Sequence, residues 1–166
     1  MTPFGEALAS WHDFYLAVGS ASAALLGLLF VGVSISIAAR SGPERGLTTV
    51  RANLAFSNLL YLVGLSLVVL LPGVEPSTVA ISFSVIAALG LLRIARQGAR
   101  LRASAGFRRV AWTIAADLIL VVIAYQLAST GDGRWLLATP IVVLVLLLGA
   151  ADVAWDLLVR ESEDRA

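Results

Sequence analysis

FYLAVGSASAALLGLLFVGVSISIAA, residues 14–39, runs 26 residues without a charged side chain. At ~1.5 Å per residue a helix of that length exceeds the ~30 Å hydrocarbon core of a bilayer. Four further apolar runs follow, at 52–71, 77–95, 110–127 and 135–159. Each is long enough to cross as a helix. Together they occupy most of the 166 residues. They leave no room for a separate soluble catalytic or receptor domain. The expected fold is all-α, a polytopic membrane helix bundle of five transmembrane helices in one domain spanning 1–166.

The composition agrees. Hydrophobic residues make up 59% of the chain and charged residues 14%, against about 25% charged in soluble domains. Mean hydropathy is +0.91. The net charge of +1 gives no basic surface for nucleic acid. There is no cysteine, which excludes disulfides and thiolate metal sites. The single histidine, His12, excludes a multi-histidine metal or haem centre. No cofactor and no enzymatic activity are expected. The first 13 residues lack Lys and Arg, so the positive start of a cleavable signal is missing. The first run is expected to remain as a span.

All twelve basic residues are arginine, and they sort by connection. Arg40, Arg45 and Arg51 lie in the first. Arg93, Arg96, Arg100, Arg102, Arg108 and Arg109 lie around the third, and Arg160 and Arg165 in the tail. The second connection has none and the fourth has only Arg134. Short arginine-rich loops stay in the cytoplasm. The N-terminus is therefore expected outside and the C-terminus inside, as five spans require. Trp11 and Trp135 would mark the outer interface, and Trp112 and Trp155 the inner one. The Arg96–Arg109 loop would meet anionic lipid at ~1 kcal/mol per arginine.

The outer connections read as tight turns. Pro72-Gly73-Val74-Glu75-Pro76 joins spans two and three, and Gly131-Asp132-Gly133 joins spans four and five. Ahead of the first span, Phe4, Leu8, Trp11 and Tyr15 fall at helical spacing. Ser10-Trp11-His12-Asp13 reads as a capping box that opens the first helix, with Asp13 at the positive end of its dipole. Gly19, Ala23 and Gly27 recur every four residues, and small residues so spaced let two membrane helices approach closely. They are candidates for the seam of a homo-oligomer or of contacts within the chain.

Polar residues inside the spans carry the functional expectation. Counted from the flanking arginines, Asp117, Asp152, Asn58 and Ser34 lie ~9–12 Å below the inner interface. A carboxylate there costs ~2.5–3.5 kcal/mol on insertion scales and must face protein or water. Asp156 has Arg160 four residues on, the favourable order for a helical pair. Asp152 shares that face and needs another partner. Arg93 is the candidate, for Asp152 or for Asp117. Asn53, Ser57, Tyr61 and Gly64 add a polar stripe on the second span, and Thr113 sits one turn before Asp117.

Three functions follow from these residues. The leading expectation is small-ion or proton passage through a homo-oligomeric bundle, with Asp117, Asp152 and Asn58 as the site. The second is a non-catalytic accessory or scaffold subunit of a larger membrane complex. The third arises because Gly149-Ala150-Ala151-Asp152 resembles the Gly-x-Gly-Asp motif of intramembrane aspartyl proteases, which would pair Asp152 with Asp117. Ala151 replaces the second glycine of that motif, and Ala116 stands where the family has tyrosine.

Trp11-His12-Asp13-Phe14-Tyr15, followed by Gly27-Leu28-Leu29-Phe30-Val31, resembles the opening helix of small uncharacterised bacterial multi-span inner-membrane proteins. Some are labelled modulators of a membrane protease. The resemblance implies a bacterial inner (plasma) membrane and carries no role to any residue.

Overall fold

The computed structural model describes residues 3–39, 43–105 and 107–163, with side chains at 3–35, 52–96, 111–152 and 155. Five α-helices follow one another: α1 Pro3–Ala39, α2 Pro43–Val69, α3 Pro76–Ala105, α4 Phe107–Thr130 and α5 Thr139–Glu163. A 3₁₀ turn, Gly133–Ala138, precedes α5. All five helical segments are long and apolar enough to cross a membrane. Their apolar windows are Pro3–Ile35, Ala52–Val69, Pro76–Arg96, Ala111–Thr130 and Gly133–Asp152, with mean hydropathy from 1.8 to 2.2.

The helices outrun the apolar segments at one end of the bundle. The arginine-bearing stretches Pro43–Arg51 and Arg96–Ala105 are helical and continue α2 and α3 beyond their apolar windows. The third connection is therefore not the loop expected from its charge. Arginine and alanine are strong helix formers, and hydrophobicity does not decide where such a helix ends. Pro43 and Pro76 each open a helix at the position where a missing N–H costs nothing.

The opposite end is made of tight turns. Gly73 and Gly131 have φ of 67° and 65°, a left-handed conformation that side chains with a Cβ disfavour. Gly131 N–H donates to Leu127 O at 2.9 Å and terminates α4. Asp132 then caps the 3₁₀ turn. Its carboxylate accepts from Arg134 N–H at 2.9 Å and from the Arg134 guanidinium at 2.7 Å. Those bonds hold the Asp132 carboxyl below the usual carboxylate range.

Helix α1 starts at Pro3, so Ser10–Asp13 is helix interior and not a cap. The Ser10 hydroxyl donates backwards to Ala7 O at 2.7 Å. The stripe Phe4, Leu8, Trp11, Tyr15 explains the early start, because it gives the first three turns a surface to bury. Phe4 and Tyr15 are buried. Tyr15 hydrogen-bonds Thr139 at the head of α5, and Thr139 Oγ1 donates to Leu136 O at 2.6 Å. A Cβ on Gly133 would sit 2.7 Å from Ala7 Cβ, so the 3₁₀ turn needs glycine to meet α1 this closely.

Four helices close a ring in which α2 packs on α3 and α5, and α4 packs on the same two. Helix α1 lies outside the ring along α2. Only 6% of its apolar window is buried, against 33–50% in the other four. Leu62, Leu65, Val79, Phe83, Leu120, Ile123, Leu127, Val142 and Leu146 fill the ring's core towards the turn end. Ser22 and Ser66, both buried, mark the α1–α2 seam, where a Cβ on Gly19 would lie 2.9 Å from Ser66 Cβ.

Candidate functional site

Three buried polar side chains of the ring, Asn58, Thr113 and Asp117, lie on the arginine side of that apolar core, while Ser66 and Thr139 are buried nearer the turns. Asn58 on α2 is 1% exposed and Asp117 on α4 is 2% exposed. Each points across to a glycine of a neighbouring helix. A Cβ on Gly90 of α3 would lie 2.5 Å from Asp117 Oδ2 and 2.7 Å from Oδ1. A Cβ on Gly149 of α5 would lie 3.4 Å from Asn58 Nδ2. Helix packing thus seats one polar group of α4 in a notch of α3, and one of α2 in a notch of α5.

Arg93 supplies the third link. It is three residues beyond Gly90, hence one turn along the same face. Its guanidinium reaches α2, where Nη1 donates to Asn53 O at 3.4 Å and the head group lies 5.6 Å from the Tyr61 ring centroid. A cation over an aromatic face is attracted by the ring quadrupole. Arg93 also stands one turn from the Gly90 notch that seats Asp117. Within the described residues no ion pair closes between them. Asp117 Oδ2, Asn58 Oδ1, Arg93 Nε and Arg93 Nη2 are buried without a hydrogen-bond partner. Buried atoms of this kind carry a cost of ~1–3 kcal/mol each. Donors and acceptors are present together, so a proton or a rearranged rotamer would change several of these contacts at once.

Arg93 and Asp117 are thus grouped about Gly90 of α3, and Asn58 packs against Gly149 of α5. Ser34 and Asp152, the other two expected members, are both exposed. Ser34 is exposed on α1, outside the ring, with its hydroxyl donating to Phe30 O at 2.7 Å. Asp152 is exposed on α5, whereas Asp117 is buried. Asp156 and Arg160 fall outside the described side chains, as do Arg100, Arg102, Arg108 and Arg109. Sequence reading did not single out Gly90, and it met Gly149 only as the first residue of the protease-like motif. A glycine inside an apolar helix has no periodic signature, and only the side chain pressed on it reveals its use.

The small residues of α1 separate into two faces. Gly19 meets Ser66 of the same chain. Ala23 is exposed, and nothing lies within 4 Å of a Cβ built on Gly27 or Gly32. No group of three or more His, Cys, Asp or Glu suited to a metal occurs among the described residues. No family model matches the chain, and neither a curated protein nor a solved structure does. The chain is a multi-pass membrane protein by helix length and hydropathy, and the resemblance of its opening helix to small bacterial proteins is not accompanied by a family assignment.

Proposed function

We propose that the chain is a non-catalytic accessory or scaffold subunit of a membrane assembly, resident in a bacterial inner membrane with its arginine-rich end in the cytoplasm. The observation that carries this reading is the dry half of the ring. Between the Asn58–Asp117 level and the turns, the buried core of α2–α5 is built from Leu, Ile, Val, Phe and Ala side chains, and its two buried hydroxyls, Ser66 and Thr139, meet α1 at Gly19 and Tyr15. That stretch is 10–14 residues on each helix, or about 15–21 Å. Ions need a continuous polar path, and a single ring offers none there. In this reading Asn58, Arg93 and Asp117 tie four helices together, and α1 presents Ala23 and Gly27 to a second copy or to another membrane helix. The Arg96–Arg109 segment lies against anionic lipid.

One specific observation favours a second reading, small-ion or proton passage by a homo-oligomer. Asp117 is a buried carboxylate with an unpartnered oxygen, and intramembrane acids commonly mark proton or ion routes. Flux in proteoliposomes separates the two. The purified chain is reconstituted and acidification is followed with an internal pH dye under an imposed potential. The accessory reading expects leakage equal to that of empty vesicles. Proton or cation flux that disappears in Asp117→Asn would overturn it and establish passage.

A further inference from the structure

A cleft of about 670 Å³ opens at the turn end of the bundle, between the first turns of α1 and the α2–α3 connection. Its volume suits a small organic molecule. One wall includes Phe4 and Leu8 of α1, and the other includes Val69, Leu71, Pro72 and Pro76. Two polar side chains stand among these apolar ones, His12 and Glu75, and both are exposed. Glu75 is fixed in place by the start of α3. Its carbonyl accepts from Thr78 N–H at 3.0 Å and from Val79 N–H at 3.2 Å.

Both polar groups accept hydrogen bonds. The Asp13 carboxylate can only accept, so the hydrogen in its 3.2 Å contact with His12 Nδ1 sits on the ring. In the neutral imidazole Nε2 is then an acceptor. The Glu75 carboxylate receives only a 3.4 Å contact from Ser77 Oγ, so it keeps most of its capacity to accept. Pro72 and Pro76 have no N–H to give. The segments that build the walls hold no Lys or Arg, since none occurs in 1–39 or 52–92. Arg134, in the other turn of this end, is held by Asp132 at 2.7 Å. An apolar cleft whose polar side chains accept, and whose one full charge is negative, matches an apolar body that carries an ammonium group.

We infer that this cleft binds a small organic cation, a protonated amine on an apolar body, with the ammonium donating to Glu75 and the body against Phe4, Leu8 and Leu71. The occupant is a free amine and not the ethanolamine head of a lipid. A phospholipid brings a phosphate beside its ammonium, and among the described residues the walls offer that phosphate no Lys or Arg. The site lies at the opposite end of the ring from Asn58 and Asp117 and does not depend on the accessory role.

Titration calorimetry tests it, with the full chain in phosphatidylcholine nanodiscs near neutral pH and empty nanodiscs as the blank. One naphthylmethylamine per chain is expected to bind. Naphthylmethanol, of similar shape but uncharged, should bind about fivefold more weakly, the upper range for an exposed charge pair, and naphthoate should not bind. Glu75→Gln should reduce the amine to the affinity of the alcohol and leave the alcohol unchanged. Asp132→Asn alters an acid of the same end outside the cleft, keeps a side chain able to cap, and should change nothing. Leu8→Trp should abolish amine and alcohol binding alike by filling the cleft. Absence of amine binding, equal affinity for amine and alcohol, or indifference to Glu75→Gln would overturn the inference. So would loss with Asp132→Asn alone, or displacement of the amine when phosphatidylethanolamine enters the nanodisc, which would give the cleft to the lipid. The Glu75 side chain is exposed, so Glu75→Gln decides the matter even where Leu8→Trp fails to fold.

Discussion

The Asp117 carboxylate of α4 rests on the bare backbone of Gly90 in α3, so close that a methyl group there would stand 2.5 Å from Oδ2. Two helices meet where one offers its only buried acid and the other offers no side chain. A Cβ at residue 90 would force the Asp117 side chain to move. Gly90→Ala is therefore expected to destabilise the protein by about 1–3 kcal/mol, the usual cost of overpacking. Thermal unfolding in detergent measures it. The same change made in an Asp117→Ala background should cost markedly less, because the clashing carboxylate is gone.

Arg93 stands one turn along α3 from the Gly90 notch that seats Asp117. If the Arg93 guanidinium draws on that charge, Asp117→Asn should lower stability by about 1–3 kcal/mol, as for a buried polar group left without its partner. Arg93→Gln in that variant should restore much of the loss. The readout is a double-mutant cycle by chemical or thermal unfolding. Additive losses would mean that the two charges are energetically independent.

Tyr15 joins the first helix to the last through Thr139. Tyr15→Phe keeps the ring and removes the hydroxyl. A loss of about 0.5–1.5 kcal/mol is expected, small because Thr139 keeps its bond to Leu136 O. Protease accessibility near the 3₁₀ turn should rise more than the melting temperature falls, as the bond is local to that end.

Topology is checked by labelling. The protein contains no cysteine, so single cysteines at Ser104 and Ser129 report cleanly with a membrane-impermeant thiol reagent. Arginine bias predicts that Ser129 labels from outside and Ser104 only after permeabilisation. Reaction of both from one face would remove the five-crossing arrangement.

Ala23 and Gly27 test assembly. Both lack contacts that would bury them within the chain, whereas Gly19 is used against Ser66. If this face is a subunit seam, Ala23→Leu should dissociate the oligomer and leave the monomer's helicity intact. An unchanged mass in light scattering would assign the face to lipid.

The five apolar helices could be read from residue order alone, because the length of an apolar run is counted in residues. Rotation about the helix axis could not. Asp152 and Ser34 lie at the expected depth but on exposed faces. Sharing a level does not place two residues on the same side of their helices. The start of α1 escaped for a different reason. Ser10 and Asp13 form a sound local cap, yet burial of Phe4 and Tyr15 against a turn more than a hundred residues away outweighed it. The arginine-bearing parts of α2 and α3 read as loops in the sequence but are helical, because charge marks the end of the apolar layer and not the end of a helix.

Helix α1 is 37 residues long, a rod of about 55 Å, and the hydrocarbon layer accounts for only ~30 Å of it. Some 25 Å of rigid helix is left to project, to tilt, or to share between the two. Because Phe4 and Tyr15 clamp the rod to the 3₁₀ turn, that surplus has a pivot. A bilayer of different thickness would then be met by a change in the angle of α1 about the clamp, with the end of the rod away from the 3₁₀ turn moving furthest.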